Sequence, residues 1–494
     1  MLLEINISEV VLNTYLLIIY MFAVVVAARI LLENRNPAKT VAYLLLLLFI
    51  PFVGIIVYIF FGLNYRKKRL YKRKLKADTE LFGYVRKQIV KESEQVMAEH
   101  SEWMKGRESI VRLLLNDSLA KLTSDNQIDL LINGEEKFPA VFAAMEAAEK
   151  FIHLEYFIFE NDKIGHEIKE LLIRKSKAGV TVRFIYDDYG SRHLHSNFIN
   201  ELKAAGIRVF PFYRIYFPLL ANRINYRDHR KIIVVDGKVG FIGGINVSDR
   251  YINLRRKHRK GKKGLYWRDS HIRIEGSAVQ GLQYLFISNW NFCSEEDLQL
   301  TNHLFPQQTG HGNELVQIAS SGPDSKHSTI MMSFVAAINS AIRSIYITTP
   351  YFIPNDALID CLKRAAICGL DIQLLIPGIT DTLLVNAAAR SFYEELMEVG
   401  VRIFTYQKGF VHAKTVVIDD NLSIIGTANM DVRSFDCNFE VNAVVYGTDL
   451  NLKLTNSFKN DLLNSKELDL ATWRQRSRWK KLGESIARLL APLL

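Results

Sequence analysis

The order of apolar and polar positions separates an N-terminal apolar stretch from a long alternating one. Residues 10–32 (VVLNTYLLIIYMFAVVVAARILL) are apolar apart from Asn, Thr and Tyr until Arg29, and residues 41–63 (VAYLLLLLFIPFVGIIVYIFFGL) carry no charge. Crossing a hydrocarbon core takes roughly 20 helical residues, so each run is long enough to span a bilayer. Separated by the polar turn ENRNPAKT, the runs predict a transmembrane helical hairpin over residues 1–65, kinked at Pro51. A secretory leader fits poorly, because Glu4 and Glu9 stand where a basic start is expected and no small-x-small cleavage site follows. Residues 66–125 read as a basic helical linker. From about Gln127, apolar strands alternate with amphipathic helices, the pattern of an α/β fold. QIDLLIN and FIHLEYFIF read as strands around the helix FPAVFAAMEAAEK.

That pattern occurs twice. IHLEYFIFEND (152–162) matches ITTPYFIPND (347–356), AGVTVRFIYD (178–187) matches CGLDIQLLIP (368–377), and ELKAAGIRVF (201–210) matches ELMEVGVRIF (395–404). Repeats this long signal duplicated domains, since solenoid units are far shorter. The turn-rich SSGPDS (320–325) marks a boundary, giving domains over 126–320 and 321–470 and an amphipathic end over 471–494. Insertions distinguish the copies, chiefly PFYRIYFPLLANRINYRD (211–228) and the basic RRKHRKGKKG (255–264).

Each copy carries His-x-Lys-x4-Asp: His229, Lys231 and Asp236 in DHRKIIVVDG, then His412, Lys414 and Asp419 in VHAKTVVIDD. Each is followed by a Gly and an Asn at matching spacing, Gly243 with Asn246 and Gly426 with Asn429. Both stretches are rich in Val and Ile and read as strands. Residues two apart share a strand face, so His and Lys project together while the Asp falls near the strand end. An imidazole beside an ammonium is equipped to attack a phosphodiester and hold its non-bridging oxygens. Two such pairs related by a pseudo-two-fold axis supply a nucleophile on one side and a proton donor on the other. The expected chemistry is double displacement: one imidazole becomes a phosphohistidine, and the other protonates the leaving alkoxide and then activates the acceptor. Lys231, Lys414 and the amides of Asn246 and Asn429 are expected at the equatorial oxygens. Asp236 and Asp419 complete the catalytic motif as supports for the strand end or a lysine. Asp269 (YWRDSHIRIEG) and Glu440 (SFDCNFEVN) are further candidates at the substrate site, each suited to accept from Nδ1 of a catalytic His and fix its tautomer. No metal or cofactor is expected, because the lysines carry the charge.

Composition alone leaves the partner open. A net charge of +11 over 494 residues suits either nucleic acid or acidic lipid. The cysteines Cys293, Cys361, Cys368 and Cys437 form no Cys-x-x-Cys pair and read as reduced thiols. The apolar runs favour lipid, and no nucleic-acid-binding module is visible. After the second run, NYRKKRLYKRKLK (64–76) holds eight Lys or Arg and no acid, whereas the turn between the runs holds only Arg35 and Lys39. The positive-inside rule then places the remainder in the cytoplasm, beside the anionic inner leaflet. The terminal TWRQRSRWKKLGESIARLLAPLL sets Trp473 and Trp479 among basic residues, as an interfacial helix or as one packed on the enzyme's own surface. The basic 255–264 segment reads as a solvated loop or a headgroup contact. Oligomeric state stays open.

The duplicated motif resembles that of the phospholipase D superfamily. The whole chain is similar to the bacterial cardiolipin synthases, with local matches at NGEEKF, HLEYFIF, YWRDSHIRIEG, SSGPDS and TPYFIP. The resemblance implies two duplicated phospholipase D-like α/β sandwich domains with pseudo-two-fold symmetry, after a transmembrane hairpin, with the active site between the halves. It implies reversible transfer of a phosphatidyl group from one phosphatidylglycerol to another, giving cardiolipin and glycerol at a bacterial cell membrane. Hydrolysis, or transfer to another alcohol, is the alternative. It points to His229 as nucleophile and His412 as general acid and base, which the residues alone leave open. Two departures stand out. Thr427 occupies the position of Gly244, and Asp228 precedes His229 where an amide is common, a carboxylate that would raise the neighbouring imidazole's pKa.

Overall fold

The structure is a computed structural model that describes residues 7–33, 37–58, 72–214, 226–255, 265–294, 296–308 and 312–490. Most of the basic 255–264 loop, part of the basic flank at 64–76 and residues 59–63 of the second apolar run lie outside the described residues. The chain divides into two compact units, Met1–Leu75 and Lys76–Leu494.

The first unit contains α1 (Ile7–Glu33), α2 (Pro37–Phe49) and α3 (Pro51–Val57). Thr14–Leu32 is long and apolar enough to cross a membrane. The expected second span is corrected: its described part is two short helices that double back. A Cβ on Gly54 would meet the Leu47 backbone at 2.8 Å, whereas residues seven apart in a continuous helix stand about 10 Å apart. Ile50 leaves the helical region ahead of Pro51. Pro51 cannot donate to the preceding turn and is tolerated as the first residue of a new helix. Only Gly at position 54 lets the two backbones meet. Ala23, Val26 and Ile30, spaced along one face of α1, pack with Leu47 and Tyr58.

The second unit begins with helices ending at Ser118 and then builds a mixed sheet. Its first half holds β1 (Thr123–Ile132), β2 (Phe151–Tyr156), β3 (Thr181–Asp187), β4 (Arg208–Phe212), β5 (Arg227–Asp228), β6 (Lys231–Val235), β7 (Val239–Gly243), β8 (Tyr266–Arg268) and β9 (Ser270–Glu275). The second half holds β10 (Glu314–Ser321), β11 (Ser344–Thr348), β12 (Phe352–Ile353), β13 (Asp371–Pro377), β14 (Arg402–Tyr406), β15 (Gly409–Val411), β16 (Thr415–Ile418), β17 (Leu422–Gly426), β18 (Met430–Asp431), β19 (Asn438–Tyr446) and β20 (Ser465–Glu467).

Strand order runs β4-β3-β2-β6-β7-β9-β1 and continues β10-β19-β17-β16-β11-β13-β14, with β20 at the far edge. Read outward from the antiparallel β1–β10 pair, the two orders correspond strand for strand. Pairing sense corresponds too: β2, β3 and β4 are parallel, as are β11, β13 and β14, while β6 and β16 return antiparallel. The duplicated α/β sandwich with pseudo-two-fold symmetry therefore stands. Helices cover the sheet, so central strands are buried on both faces and read as continuous apolar runs; every residue of β6 and β19 is buried. Leu154, Phe184, Ile233 and Phe241 anchor one core, and Ile345, Leu374, Val416 and Ile424 the other. Between them β7 and β9 lie against β17 and β19, which brings the two motifs together.

Candidate active site

Two short parallel pairings cross between the halves. β5 pairs with the start of β19, placing Asp228 opposite Phe439, and β15 pairs with β8, placing Val411 opposite Arg268. Each motif histidine follows such a strand. His229 N–H donates to the Phe439 carbonyl at 3.0 Å, and His412 N–H donates to the Arg268 carbonyl at 2.6 Å. The residue after each of these carbonyls is an acid, Glu440 within β19 and Asp269 just past β8. Nδ1–H of His229 donates to Glu440, 2.9 Å away, and Nδ1–H of His412 donates to Asp269 at 2.7 Å. Each half therefore supplies the carboxylate for the other half's histidine. Both carboxylates are 0% exposed, while His229 and His412 keep 9% and 8%. Asp269 and Glu440, grouped with the substrate site in the sequence, stand at Nδ1 of the two imidazoles, the contact their candidacy rested on. Their bonds fix the tautomer with Nε2 unprotonated.

The departure at residue 427 follows from acid length. Thr427 donates its hydroxyl to Glu440 Oε2 at 2.5 Å. At the matching place, a Cβ on Gly244 would lie 2.1 Å from Asp269 Oδ1. One half pairs the longer acid with a hydroxyl donor; the other pairs the shorter acid with a glycine that leaves it room.

Lys231 and Lys414 are buried beside their histidines. Lys231 Nζ donates to the His229 carbonyl at 2.5 Å. Lys414 Nζ bonds the His412 carbonyl and also lies 2.9 Å from His412 Nδ1 and 3.2 Å from its Nε2. Among the described residues, no hydrogen bond from the protein meets His229 Nε2. The halves thus differ in whether the motif lysine lies against the imidazole: Lys414 does and Lys231 does not among the described contacts. Burial pushes Lys231 down to about 7, opposed by Glu440 and reinforced by Lys414. Burial likewise lowers Lys414 to about 8 against the pull of Asp269 and Glu440. His229 falls to about 4, through burial above all, with Glu440 opposing and Lys231 and Lys414 adding to the fall. Burial and then Lys414 take His412 to about 3. Each lysine acts on the opposite histidine as well, so the four groups form one electrostatic cluster. Asp228, expected to raise His229, is not among the main influences on that imidazole, and burial and the Glu155 charge hold its own carboxyl well above the usual range.

The two halves of the site match in sequence as well. A family model described as "Cardiolipin synthase, PLD-like domain" matches residues 141–258 and 334–462, one segment around each motif. This chain belongs to that family. A second model, "Phospholipase_D-nuclease N-terminal", matches residues 18–62. Cardiolipin synthase 2 of Bacillus anthracis is 41% identical over 473 residues, covering 96% of this chain and 90% of its own. The major cardiolipin synthase of Bacillus subtilis (strain 168) is 38% identical over 492 residues, covering 99% of this chain and 100% of its own. The crystal structure of phosphatidylserine synthase from Haemophilus influenzae Rd KW20 superposes with a TM-score of 0.58 at 13% identity, covering 78% of this chain and 100% of that one; this likeness shows the fold.

In this phospholipase D-like family member the remaining motif residues stand around the cluster. Asn246 Oδ1 accepts from the Ile158 N–H at 3.1 Å, and its Nδ2 donates to the Tyr251 hydroxyl at 2.7 Å. Asn429 Nδ2 donates to Asp431 at 3.1 Å. Each amide thus commits at least one hydrogen to the protein. Phe157 meets His229 edge-on at 4.8 Å, and Trp267 lies 5.5 Å from His412. Lys137, not singled out before, donates to the Ile245 carbonyl at 3.1 Å and so steadies the residue ahead of Asn246. Its signal was NGEEKF, the first of the local family matches.

Asp236 and Asp419 take no part in the cluster. Both sit in the turns after β6 and β16 with left-handed φ, 52° and 51°. Asp236 accepts from the N–H groups of Glu149, Lys150 and Phe151, each at 2.8 Å. Asp419 accepts from Ile342, Arg343 and Ser344 and from Arg107 at 2.5 Å, inside the protein. Each clasps the chain entering the neighbouring strand, β2 or β11. Asp419→Ala is expected to cost about 3–5 kcal/mol, because it leaves the Arg107 guanidinium buried without its partner. Thermal unfolding of the purified protein checks this, and Arg107→Met with Asp419→Ala is expected to recover part of the loss.

The lysine values set a pH dependence. At pH 7 the imidazoles are free bases, and the lysines are partly charged. Raising pH discharges Lys231 and Lys414, so kcat/KM is expected to fall about tenfold per unit for each lysine whose value is passed. Lys231→Arg, which stays protonated, is expected to move this alkaline limb upward at some cost in rate. An unmoved limb assigns it to another group.

Proposed function

We propose that this protein is a cardiolipin synthase that transfers the phosphatidyl group of one phosphatidylglycerol to the terminal hydroxyl of another. The observation that carries the reading is the exchange of acids: each imidazole is held by the opposite half's carboxylate, so two oriented bases face one another across a cationic site. His229 Nε2 attacks phosphorus, and the bond from phosphorus to the headgroup oxygen breaks. His412, protonated once the anionic diester sits between the lysines, gives its proton to that oxygen, and glycerol leaves. His412 then takes the proton of the incoming hydroxyl, whose oxygen attacks phosphorus and releases His229. Lys231 and Lys414 stabilise the equatorial oxygens throughout. His229 is favoured as nucleophile because its Nε2 is open, whereas His412 Nε2 has the Lys414 ammonium within reach.

The apolar helix Thr14–Leu32 supports attachment to a membrane, where both reactants reside. The eight cationic residues at 64–76 favour the cytoplasmic side whatever the path of the second apolar run. The test is incubation of membranes carrying the protein with labelled phosphatidylglycerol. Cardiolipin and glycerol are the expected products, and chelation with EDTA is expected to leave the rate intact because lysines supply the charge. Phosphatidic acid as the main product would instead make the protein a hydrolase.

A further inference from the structure

The C-terminal helix Arg478–Leu489 is turned the opposite way from an ordinary surface helix, which buries its apolar stripe. Its inward face is ionic. Glu484, buried, accepts from Arg390 at 2.9 Å and from Arg476 at 2.7 Å, while Lys481 and Arg488 reach Glu394 and Glu395, each at 3.1 Å. Its outward face is apolar: Trp479 is 81% exposed, Leu482 49%, Ile486 53% and Leu489 79%. The spacing of three, four and three residues puts these side chains on one side of the helix. The helix beneath, Leu383–Arg390, adds exposed Leu383 and Leu384. Isolated exposed apolar residues are ordinary, but an aligned stripe of this kind marks a contact.

Its chemistry selects the partner. Arg478 and Lys480 flank Trp479 and are exposed. Charged residues are depleted from the cores of protein–protein contacts, whereas Trp beside cations suits the headgroup layer of an anionic bilayer. The patch also borders the active site. Asp381, two residues before Leu383, accepts from the Tyr351 hydroxyl at 2.7 Å, and its charge acts on Lys414. We propose that the outward face of Arg478–Leu489, continued by Leu383 and Leu384, seats in the headgroup layer of an anionic phospholipid bilayer and holds the site's mouth against lipid. This deepens the lipid-transferase reading and rests on it for its purpose, but contact is detectable without turnover.

The test uses the full chain in vesicles containing phosphatidylglycerol. The emission lost in Trp479→Phe isolates Trp479 from the other tryptophans. Blue-shifted emission, quenched by lipids brominated near the headgroup, is expected. In Leu482→Ser/Ile486→Ser the lipid quenching is expected to weaken, and KM, expressed as surface content of phosphatidylglycerol, to rise several-fold, more than kcat changes. Emission that stays open to acrylamide and untouched by brominated lipid overturns the proposal. So does a blue shift that disappears when each vesicle holds one protein, which identifies a second copy as the occupant. Lipid quenching in a protein that forms no cardiolipin supports the contact while removing the transferase reading.

Discussion

His229→Ala is expected to lower kcat for phosphatidyl transfer by about 10⁴-fold or more, and His412→Ala by a similar factor, with the double variant little worse than either. The effects do not add because the imidazoles serve one sequence of proton and phosphoryl movements. In the proposed mechanism the covalent intermediate forms on the nucleophile, and its partner protonates the departing oxygen. His412→Ala, given a diester with a good leaving group that needs no protonation, is expected to accumulate a phosphatidyl adduct on His229. Peptide mass spectrometry locates the adduct. An adduct on His412 in His229→Ala, with none in the reverse variant, reverses the assigned roles.

Glu440→Gln and Asp269→Asn are expected to cost about 10²–10⁴-fold in kcat with little change in KM, since neither carboxylate reaches substrate and each fixes an imidazole tautomer. Glu440 also accepts from Thr427 and Asn438, so Gln has donors waiting for its oxygen and retains much of the local geometry. A purely structural role would appear as lost stability. A positioning and electrostatic role has a second signature in the pH profile. Glu440 raises the pKa of Lys231, so removing its charge lowers that pKa further. The ammonium is then lost at lower pH, and the alkaline limb of kcat/KM is expected to move downward. Asp269→Asn is expected to weaken the hold of His412 on the proton it must donate and to lower the pKa of Lys414 as well. Unchanged pH limbs together with a large loss of thermal stability would reduce both acids to scaffolding.

Local spacing carried much of this in advance. The repeated apolar strands foretold two matching halves, and strand order repeats accordingly around β1 and β10. The His-x-Lys interval foretold that imidazole and ammonium stay together, since two residues cover so little chain that any extended conformation keeps them near. The second apolar run shows where such reading stops. Hydrophobicity measures how readily a segment leaves water, not the direction of its backbone, and Pro51 with Gly54 turned a presumed kink into a reversal. Arg107 gave no signal either, because a lone basic residue in a helical linker does not reveal a buried carboxylate more than 300 positions away.

The sequence by itself determined the chemistry available: two imidazoles, two ammonium groups and two acids, set in a duplicated sheet behind an apolar N-terminus. Tertiary structure decided which acid serves which imidazole. Glu440 lies 211 positions from His229, and Asp269 lies 143 from His412. No periodicity spans such separations. Pairing follows from burying the two halves of the sheet against each other, which sets β5 beside β19 and β15 beside β8. The same burial strips water from the lysines and imidazoles and moves their pKa values. Residue type supplied the groups, and desolvation at the interface of the halves shifted their pKa values.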